Sequence, residues 1–188
     1  MRFKTVHMFG VALFCLLCAG DGRAEQAQKA APSGPVTIDL NPTPGDQGRL
    51  EVRGVMPGTE VVVEVVALRE AKGATGFTAT LMFDPTQLSY EAFETGRLIP
   101  QMQTLPLLRE GTLEVGGSQF GGGAGAVQDG GTLGFVRFKT TPRFKGQTAV
   151  TLTHVRYRKR GEMKKFDVQV KALLLAGAGA GKPSRPRP

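Results

Sequence analysis

The sequence predicts an all-β protein, a nine-stranded β-sandwich with jelly-roll topology. Three observations lead to this prediction. The 26 Gly and 12 Pro residues among 188 indicate many turns and few long helices. Nine short strand-like runs recur with turn residues between them. Helical periodicity is weak throughout, and only residues 99–109 have room for one or two helical turns, which Pro100 and Pro106 limit.

The N-terminal segment has the pattern of an export signal. Basic residues precede an apolar run, residues 8–20, that is too short to span a bilayer as a stable anchor. Residues 22–24 (GRA) supply the small-x-small pattern that a signal peptidase needs. We therefore predict a signal peptide over residues 1–24, no transmembrane segment after its cleavage, and an exported chain that is secreted, periplasmic or held at the cell surface.

The two cysteines, Cys15 and Cys18, both lie inside this leader. A lipid anchor at Cys18 is the alternative to free export, but Leu17 precedes it where a small residue is required. The exported domain would then have no disulfide, so it must be stable through packing alone.

Two polar segments bound the expected folded unit. Residues 25–35 (EQAQKAAPSGP) have too little apolar surface to fold and are expected to form a flexible linker. Residues 176–188 (AGAGAGKPSRPRP) are expected to form a disordered tail. The range between them, residues 36–175, has the size of one domain. Its nine predicted strands are residues 36–40, 49–55, 59–68, 75–83, 88–93, 112–118, 131–140, 148–158 and 166–174.

Two of these runs predict how the sheets are oriented. Residues 61–66 (VVVEVV) are apolar on both faces, so this strand is expected at the centre of a sheet, with one face on the core and the other covered. Residues 76–83 alternate between apolar and polar until Pro85, which cannot donate to a continuing ladder. The side chains expected to point inward are Phe77, Ala79, Leu81 and Phe83; those expected to point outward are Thr78, Thr80 and Met82. This outward row is short, uncharged and flat, which suits a surface against which another molecule lies.

The basic residues are clustered. Loss of the leader leaves 21 basic against 15 acidic residues, so the formal charge falls from +8 to +6. Exposed clusters of this kind can attract anionic polysaccharide, lipopolysaccharide or nucleic acid, although Lys and Arg on an edge strand also discourage aggregation. Aromatic residues do not interleave the cluster as nucleic-acid platforms require, so no nucleic acid partner is expected. The first cluster is Arg156, Arg158, Lys159, Arg160, Lys164 and Lys165, and the second is Lys182, Arg185 and Arg187.

Two glycine-rich stretches approximate nucleotide-binding motifs without meeting their requirements. Residues 121–126 resemble a dinucleotide fingerprint, but no helix is predicted after them to face a pyrophosphate. Residues 177–184 approximate a phosphate loop, yet Ala176 and Pro183 occupy the positions of its first Gly and of its Ser or Thr. Residues 116–125 are therefore interpreted as a flexible connection, with room for a bulge, between two strands.

The residue pattern argues against an enzyme. His154 is the one histidine of the exported chain, and it stands alone in a predicted strand. Paired carboxylates such as Glu60 and Glu64 lack neighbours that would raise one pKa and lower the other. We predict no cofactor. Calcium has only weak support, because the acidic and amide side chains near turns are not spaced as a calcium loop; they are Asp39, Asn41, Asp46, Asp84 and Asp129. Asp84 is better explained as a residue that starts a turn.

Three blocks of the sequence together resemble a known family. Residues 76–98 (GFTATLMFDPTQLSYEAFETGRL) match the pattern GF-x-x-x-L-x-[FY]-D-P-x-x-L followed by G-x-L. Residues 125–140 (GAVQDGGTLGFVRFKT) resemble a loop followed by D-G-T-L-A-x-[LI]-x-F, and residues 148–157 (TAVTLTHVRY) resemble T-x-L-x-L-x-x-V. In this order and spacing they resemble the cohesin domain, the β-sandwich by which cellulosomal scaffolds and related bacterial surface proteins hold dockerin-bearing partners.

The resemblance implies a partner and a contact surface. A dockerin-like protein module would dock on one sheet face, in a setting of polysaccharide degradation or cell-surface assembly. The family often has Asn or Asp where Gly76 and Thr78 stand here. The contact residues implied by position are Thr78, Thr80 and Met82 on the strand, with Ala126, Gln128 and Asp129 on the adjoining loop.

Two alternatives remain open at this stage. In the first, the chain is a carbohydrate-binding or envelope-associated module whose basic hairpin contacts an anionic glycan through Arg156, Arg158 and Arg160. The absence of Trp, with only Tyr90 and Tyr157 as tyrosines, disfavours stacking on sugar rings. In the second, the domain is purely structural and its surface alternation serves solubility.

Overall fold

The computed structural model describes residues 34–41, 43–119 and 127–177, and every regular element in them is a β-strand. The strands form a four-stranded sheet in the order β1-β3-β9-β5 and a seven-stranded sheet in the order β2-β11-β10-β4-β8-β6, in which β7 also pairs with β8. Their bounds are β1 Val36–Asp39, β2 Glu51–Val55, β3 Glu60–Ala67, β4 Gly76–Phe83, β5 Leu88–Thr95, β6 Gln103–Thr104, β7 Leu107–Arg109, β8 Thr112–Ser118, β9 Gly131–Thr140, β10 Gln147–Lys159 and β11 Glu162–Ala176. No helix within these ranges is long and apolar enough to cross a bilayer.

All nine predicted runs are strands, and the all-β sandwich is confirmed. The structure adds two short strands, β6 and β7, in the segment that had room for one or two helical turns. Pro100 and Pro106 lack the backbone N–H that a helix needs. The residues between and after them instead pair with the edge of β8, with Gln103 opposite Ser118 and Leu107 opposite Glu114.

Strand β4 alternates as predicted. Phe77, Ala79 and Leu81 are at most 2% exposed. Thr78 and Thr80 are half-buried on the other side, while Met82 is 51% exposed. The strand ends at Asp84, whose Oδ1 accepts hydrogen bonds from the backbone N–H and the hydroxyl of Thr86 at 2.8 and 2.7 Å. These contacts confirm Asp84 as the residue that starts the turn.

The core lies between the two sheets and is closed by aromatic pairs. Phe83 of β4 meets Phe138 of β9 edge-to-face at 5.0 Å between ring centroids. Phe77 of β4 meets Phe93 of β5 in the same way at 6.3 Å. Each pair joins a strand of the seven-stranded sheet to a strand of the four-stranded sheet, so these contacts fix how the layers are stacked.

Strand β3 is central, as its two apolar faces predict. It lies between β1 and β9. Val61, Val63 and Val65 point into the core, and Glu64 and Val66 on the other side are also buried. Segment 43–49, between β1 and β2, covers the outer side of the sheet at Asp39 and Glu64.

Strands β10 and β11 form a long hairpin that carries the first basic cluster. Gly161 in its turn has a φ of +68°, a conformation that glycine adopts without strain. A register shift between Leu152 and His154 marks a bulge in β10. Three residues of the expected glycine-rich connection, Gly116 to Ser118, belong to β8; residues 120–126 and the second basic cluster lie outside the described residues.

Candidate functional site

The outer side of the four-stranded sheet is covered at β1 and β3. Asp39 and Glu64 stand opposite each other on β1 and β3, and both are 0% exposed. The backbone N–H of Gly45 donates to Oε1 of Glu64 at 2.8 Å, and that of Gln47 donates to Oδ2 of Asp39 at 2.7 Å. The carboxylates thereby hold segment 43–49 over the β1–β3 part of the sheet, while Glu60 and Glu94 farther along it are exposed and Arg137 between them is partly exposed.

The carboxylates of Asp39 and Glu64 are both engaged in hydrogen bonds. The oxygens of Asp39 accept backbone N–H groups of Asn41, Gln47 and Arg49. Burial raises the pKa of Glu64, and the charges of Asp39 and Asp46 raise it further, against hydrogen bonds from Gly45 and Thr132 that lower it. In the described part of the chain, no three His, Cys, Asp or Glu side chains are placed to hold a metal ion. The arrangement therefore acts to fix a loop.

The outer side of the seven-stranded sheet is exposed over much of its width, and we call it the open face. Residues opposite each other on antiparallel neighbours point to the same side, so the register defines its members. Across β8, β4, β10 and β11 the central rows are Glu114, Thr80, His154, Asp167 and Gly116, Thr78, Arg156, Lys165. The flanking rows are Ser118, Gly76, Arg158, Met163 and Thr112, Met82, Thr151, Lys171. The three predicted strand residues thus lie together on this face.

One end of the open face is flat because glycines form it. Gly116 has a φ of +133°, and a Cβ built there would lie 2.1 Å from the carbonyl oxygen of Phe77. A Cβ at Gly76 would lie 2.4 Å from the carbonyl oxygen of Gly117. These close approaches exclude larger residues, so no side chain rises from the face at Gly116 and Gly76.

Apolar side chains mark the other end of the open face. Met82 is 51% exposed and Leu107 is 43% exposed. Leu107 of β7 stands opposite Glu114 and therefore lies on the same side. Sequence reasoning missed Leu107 because β7 has only three residues, too few for an alternating pattern to be recognised.

Charged side chains cross the centre of the open face. Nη2 of Arg156 lies 3.4 Å from Oε2 of Glu114. These residues belong to β10 and β8, so the ion pair passes over β4 beside Thr78 and Thr80. The predicted glycan contacts Arg156 and Arg158 are therefore on the same face as the predicted protein contacts; Arg160 is exposed in the turn that follows β10.

His154 lies on the open face without the surroundings of a catalytic base. Its Nε2 is 3.2 Å from Oδ1 of Asp167, and its Nδ1 is 2.9 Å from Oγ1 of Thr153. The side chain of Asp167 is 75% exposed. Because His154 lies on a flat, solvent-exposed surface, there is no cavity beside it to orient a substrate or exclude water.

The loop residues predicted as contacts lie at one end of the sandwich. Oδ1 of Asp129 accepts a hydrogen bond from the backbone N–H of Lys72 at 3.3 Å, in the loop between β3 and β4. Gln128 lines a cavity of about 620 Å³ with Arg97, Phe135 and other residues. Ala126 lies outside the described residues. The role of these three residues in binding stays a prediction.

Lys164 of the basic cluster is used inside the fold. Its Nζ lies 2.7 Å from Oε2 of Glu70 and 5.3 Å from the ring centroid of Phe166. This hydrogen-bonded ion pair raises the pKa of Lys164 and lowers that of Glu70. Lys164 alternates with Lys165 along β11, so it points away from the open face and fastens the hairpin to the β3–β4 loop.

The described strands form a two-layer jelly-roll with one partly covered face and one open face. Comparison with solved structures identifies it as the cohesin fold. The seventh ScaB type I cohesin of Pseudobacteroides cellulosolvens matches with a TM-score of 0.53 and 16% identity, covering 81% of this chain and 96% of that one. A non-cellulosomal cohesin of Archaeoglobus fulgidus matches with a TM-score of 0.53 and 17% identity, covering 76% and 91%.

A third similar structure was solved with a bound partner. It is the sixth cohesin of Acetivibrio cellulolyticus scaffoldin B in complex with a mutant Cel5 dockerin, with a TM-score of 0.55, 18% identity, and coverage of 75% of this chain and 96% of that one. No family model and no curated protein matches the sequence. The resemblance noted in the sequence is confirmed in the fold.

Proposed function

We propose that this chain is an exported, non-enzymatic binding module that captures a dockerin-like helical protein module on the open face. The observation that carries the proposal is the asymmetry of the sandwich. Segment 43–49 covers the β1–β3 part of one sheet, and the exposed part of that sheet carries the charged side chains Glu60, Glu94 and Arg137. The other sheet presents the uncharged row Thr78, Thr80 and Met82. Similar folds solved with dockerins support the choice of partner.

The open face supplies three kinds of contact. Met82 and Leu107 offer apolar area at one end, and the thioether of methionine adapts to different partner shapes. The hydroxyls of Thr78 and Thr80 can orient the partner through hydrogen bonds. A specific interface buries about 1,200–2,000 Å² in total, so contacts would extend from β7 across β4 to β10.

The test is capture of a partner by variants of the open face. Thr78→Arg combined with Met82→Glu places bulk and charge in the middle of the face and is expected to abolish capture of dockerin modules, including the Cel5 dockerin, and of dockerin-bearing proteins from the envelope and secretome. Ser89→Arg on β5 is the matched control, since Ser89 is exposed on the opposite sheet. Unchanged capture by the double variant would show that another surface binds the partner.

Export and the setting of the module are part of the proposal. The predicted cleavage after residues 22–24 supports an exported chain that begins near Glu25. N-terminal sequencing of protein recovered from the envelope or medium tests this directly. A lipid-modified N-terminus at Cys18, seen by mass spectrometry, would replace free export with anchoring. A partner that carries a polysaccharide-degrading domain would identify the pathway as polysaccharide catabolism, and one from the cell envelope as surface assembly.

The second candidate is binding of an anionic glycan, favoured by the basic side chains of the β10–β11 hairpin. Arg158 and Arg160 are exposed, and Arg156 is half-buried beside them. Retention on an anionic polysaccharide gel, lost when these three residues are changed to Ala, would favour this candidate. Equal retention of the triple variant would exclude the hairpin as a glycan site.

A further inference from the structure

We propose that the open face selects a helical module whose contact surface is acidic, and that Glu114 restrains this selectivity by holding Arg156 across β4. The inference rests on the proposed function and adds the charge of the partner. It begins from the positions of the ionic groups in the four rows of the face.

Cations outnumber anions on the open face. Arg156, Arg158, Lys165 and Lys171 point to this side, against Glu114 and Asp167. Three of these cations, Arg156, Arg158 and Lys165, lie on one side of Thr78 and Gly76, which belong to the flat part of the face. A partner that lies on this floor therefore meets positive potential on the side of β10 and β11, and carboxylates on its surface would complement that potential.

The internal ion pairs of the face are suited to exchange. Arg156 and Glu114 are 3.4 Å apart, and each side chain is 39% exposed. Lys165 and Asp167 are 3.2 Å apart, with side chains 57% and 75% exposed. Exposed pairs contribute little to stability, because solvent and salt screen their charges. A partner carboxylate can therefore take either cation from its internal partner at small cost.

The position of the Arg156–Glu114 pair makes it a specificity device. Because Glu114 is opposite Thr80 and Arg156 is opposite Thr78, the pair lies diagonally above β4. A module that contacts both threonines must displace this pair or fit around it. When the ion pair opens, a carboxylate of an acidic module can bind Arg156. A basic module can pair with Glu114, but its cations are repelled by Arg156.

The experiment uses two designed two-helix modules on a dockerin frame. They are identical except that the exposed positions of the contact helix are Glu in one and Lys in the other. Binding to the full chain is measured by biolayer interferometry at 50 and 300 mM salt. The expected result is that the Glu module binds at least about tenfold more tightly at 50 mM salt, and that the ratio falls at 300 mM.

Variants on either side of the ion pair separate the proposed role from a structural one. Glu114→Gln releases Arg156 and is expected to strengthen binding of the Glu module severalfold without strengthening that of the Lys module. Arg156→Gln is expected to reduce the preference between the modules. Lys139→Gln, an exposed position on the opposite sheet, changes the net charge equally and is expected to leave the preference unchanged.

The outcomes distinguish this inference from the proposed function. If both modules bind equally and the Thr78→Arg, Met82→Glu variant abolishes both, the acidic preference is refuted while capture on the open face stands. If neither module binds, or binding survives that variant, both are refuted. Preference for the Lys module, or binding of polygalacturonate with no binding of the Glu module, also overturns the acidic helical partner.

Discussion

The change Leu81→Ala tests whether β4 separates a packed side from a binding side. Leu81 is 0% exposed, and its register partners are Leu113 on β8 and Leu152 on β10. The substitution removes three buried carbons, worth about 2.4 kcal/mol at roughly 0.8 kcal/mol each. The rigid neighbours on both sides cannot close the space, and the cavity raises the expected loss to about 3–4 kcal/mol.

The measurement is urea unfolding followed by near-ultraviolet circular dichroism, with a thermal scan beside it. A loss of 3–4 kcal/mol corresponds to a fall in the melting temperature of about 6–16 °C for a domain of this size. Thr80→Ala is the matched control, because Thr80 is the adjacent residue and is half-buried on the open face. It is expected to change the free energy of unfolding by about 1 kcal/mol or less.

The comparison has a clear refuting result. If Leu81→Ala costs less than about 1 kcal/mol, or no more than Thr80→Ala, then Leu81 does not lie in a close-packed core. The alternation of β4 would then have been assigned to the wrong sides. The open face would lose its basis, since Thr78 and Met82 are placed by the same alternation.

Three further predictions concern Gly116, Thr140 and Glu64. Gly116→Ala is expected to cost about 2–4 kcal/mol in unfolding free energy, because φ is +133° and the new Cβ meets the carbonyl of Phe77. Gly161→Ala is the control, with φ +68° and open space around the new Cβ, and is expected to cost about 1 kcal/mol. Equal losses in the two variants would contradict the close approach at Gly116. Thr140→Val is expected to lower the free energy of unfolding, measured in urea, by about 1–3 kcal/mol. The buried hydroxyl donates a hydrogen bond to the carbonyl oxygen of Met56 at 2.7 Å and accepts one from the backbone N–H of Thr59 at 2.8 Å. An unchanged free energy of unfolding would show that neither hydrogen bond contributes to stability. The pKa of Glu64 is raised from its ordinary 4.5, so the folded state binds the carboxyl proton more tightly than the unfolded state. The stability that this adds is complete below pH 4.5 and is lost as the pH rises through the raised pKa. Glu64→Gln is expected to remove this loss of stability when the free energy of unfolding is measured from pH 4 to 8, and the same pH dependence in both proteins would refute the prediction.

The sequence predicts those parts of the fold that are governed by local periodicity. Strand β4 is recognisable because eight residues alternate without interruption and Asp84 ends the pattern. Strand β3 is recognisable as central because its second face is also apolar. In β4 the burial of each side chain follows from its position in a period of two, and in β3 the unbroken apolar run indicates burial on both faces.

The features that the sequence did not predict depend on pairing between distant segments. Strands β6 and β7 are too short to show a period and exist because the edge of β8 is available to them. Glu64 is buried because segment 43–49 folds back to donate a backbone N–H, 19 residues away along the chain. Thr78 lies close to Arg156 because β4 pairs with β10, although the two residues are 78 positions apart along the chain.

That last pairing changes how the two candidate functions relate to each other. On the sequence alone, a protein-binding strand and a basic hairpin are separate regions that could act independently. In the sheet, Thr78 and Arg156 are opposite neighbours, whose Cβ atoms lie about 4.5–5.5 Å apart. A helical module on Thr78 would cover Arg156, and a glycan on Arg156 would obstruct Thr78. If the proposed function holds, the open face would hold only one of these ligands at a time, and the charge that would attract a glycan would be part of the specificity for a protein partner.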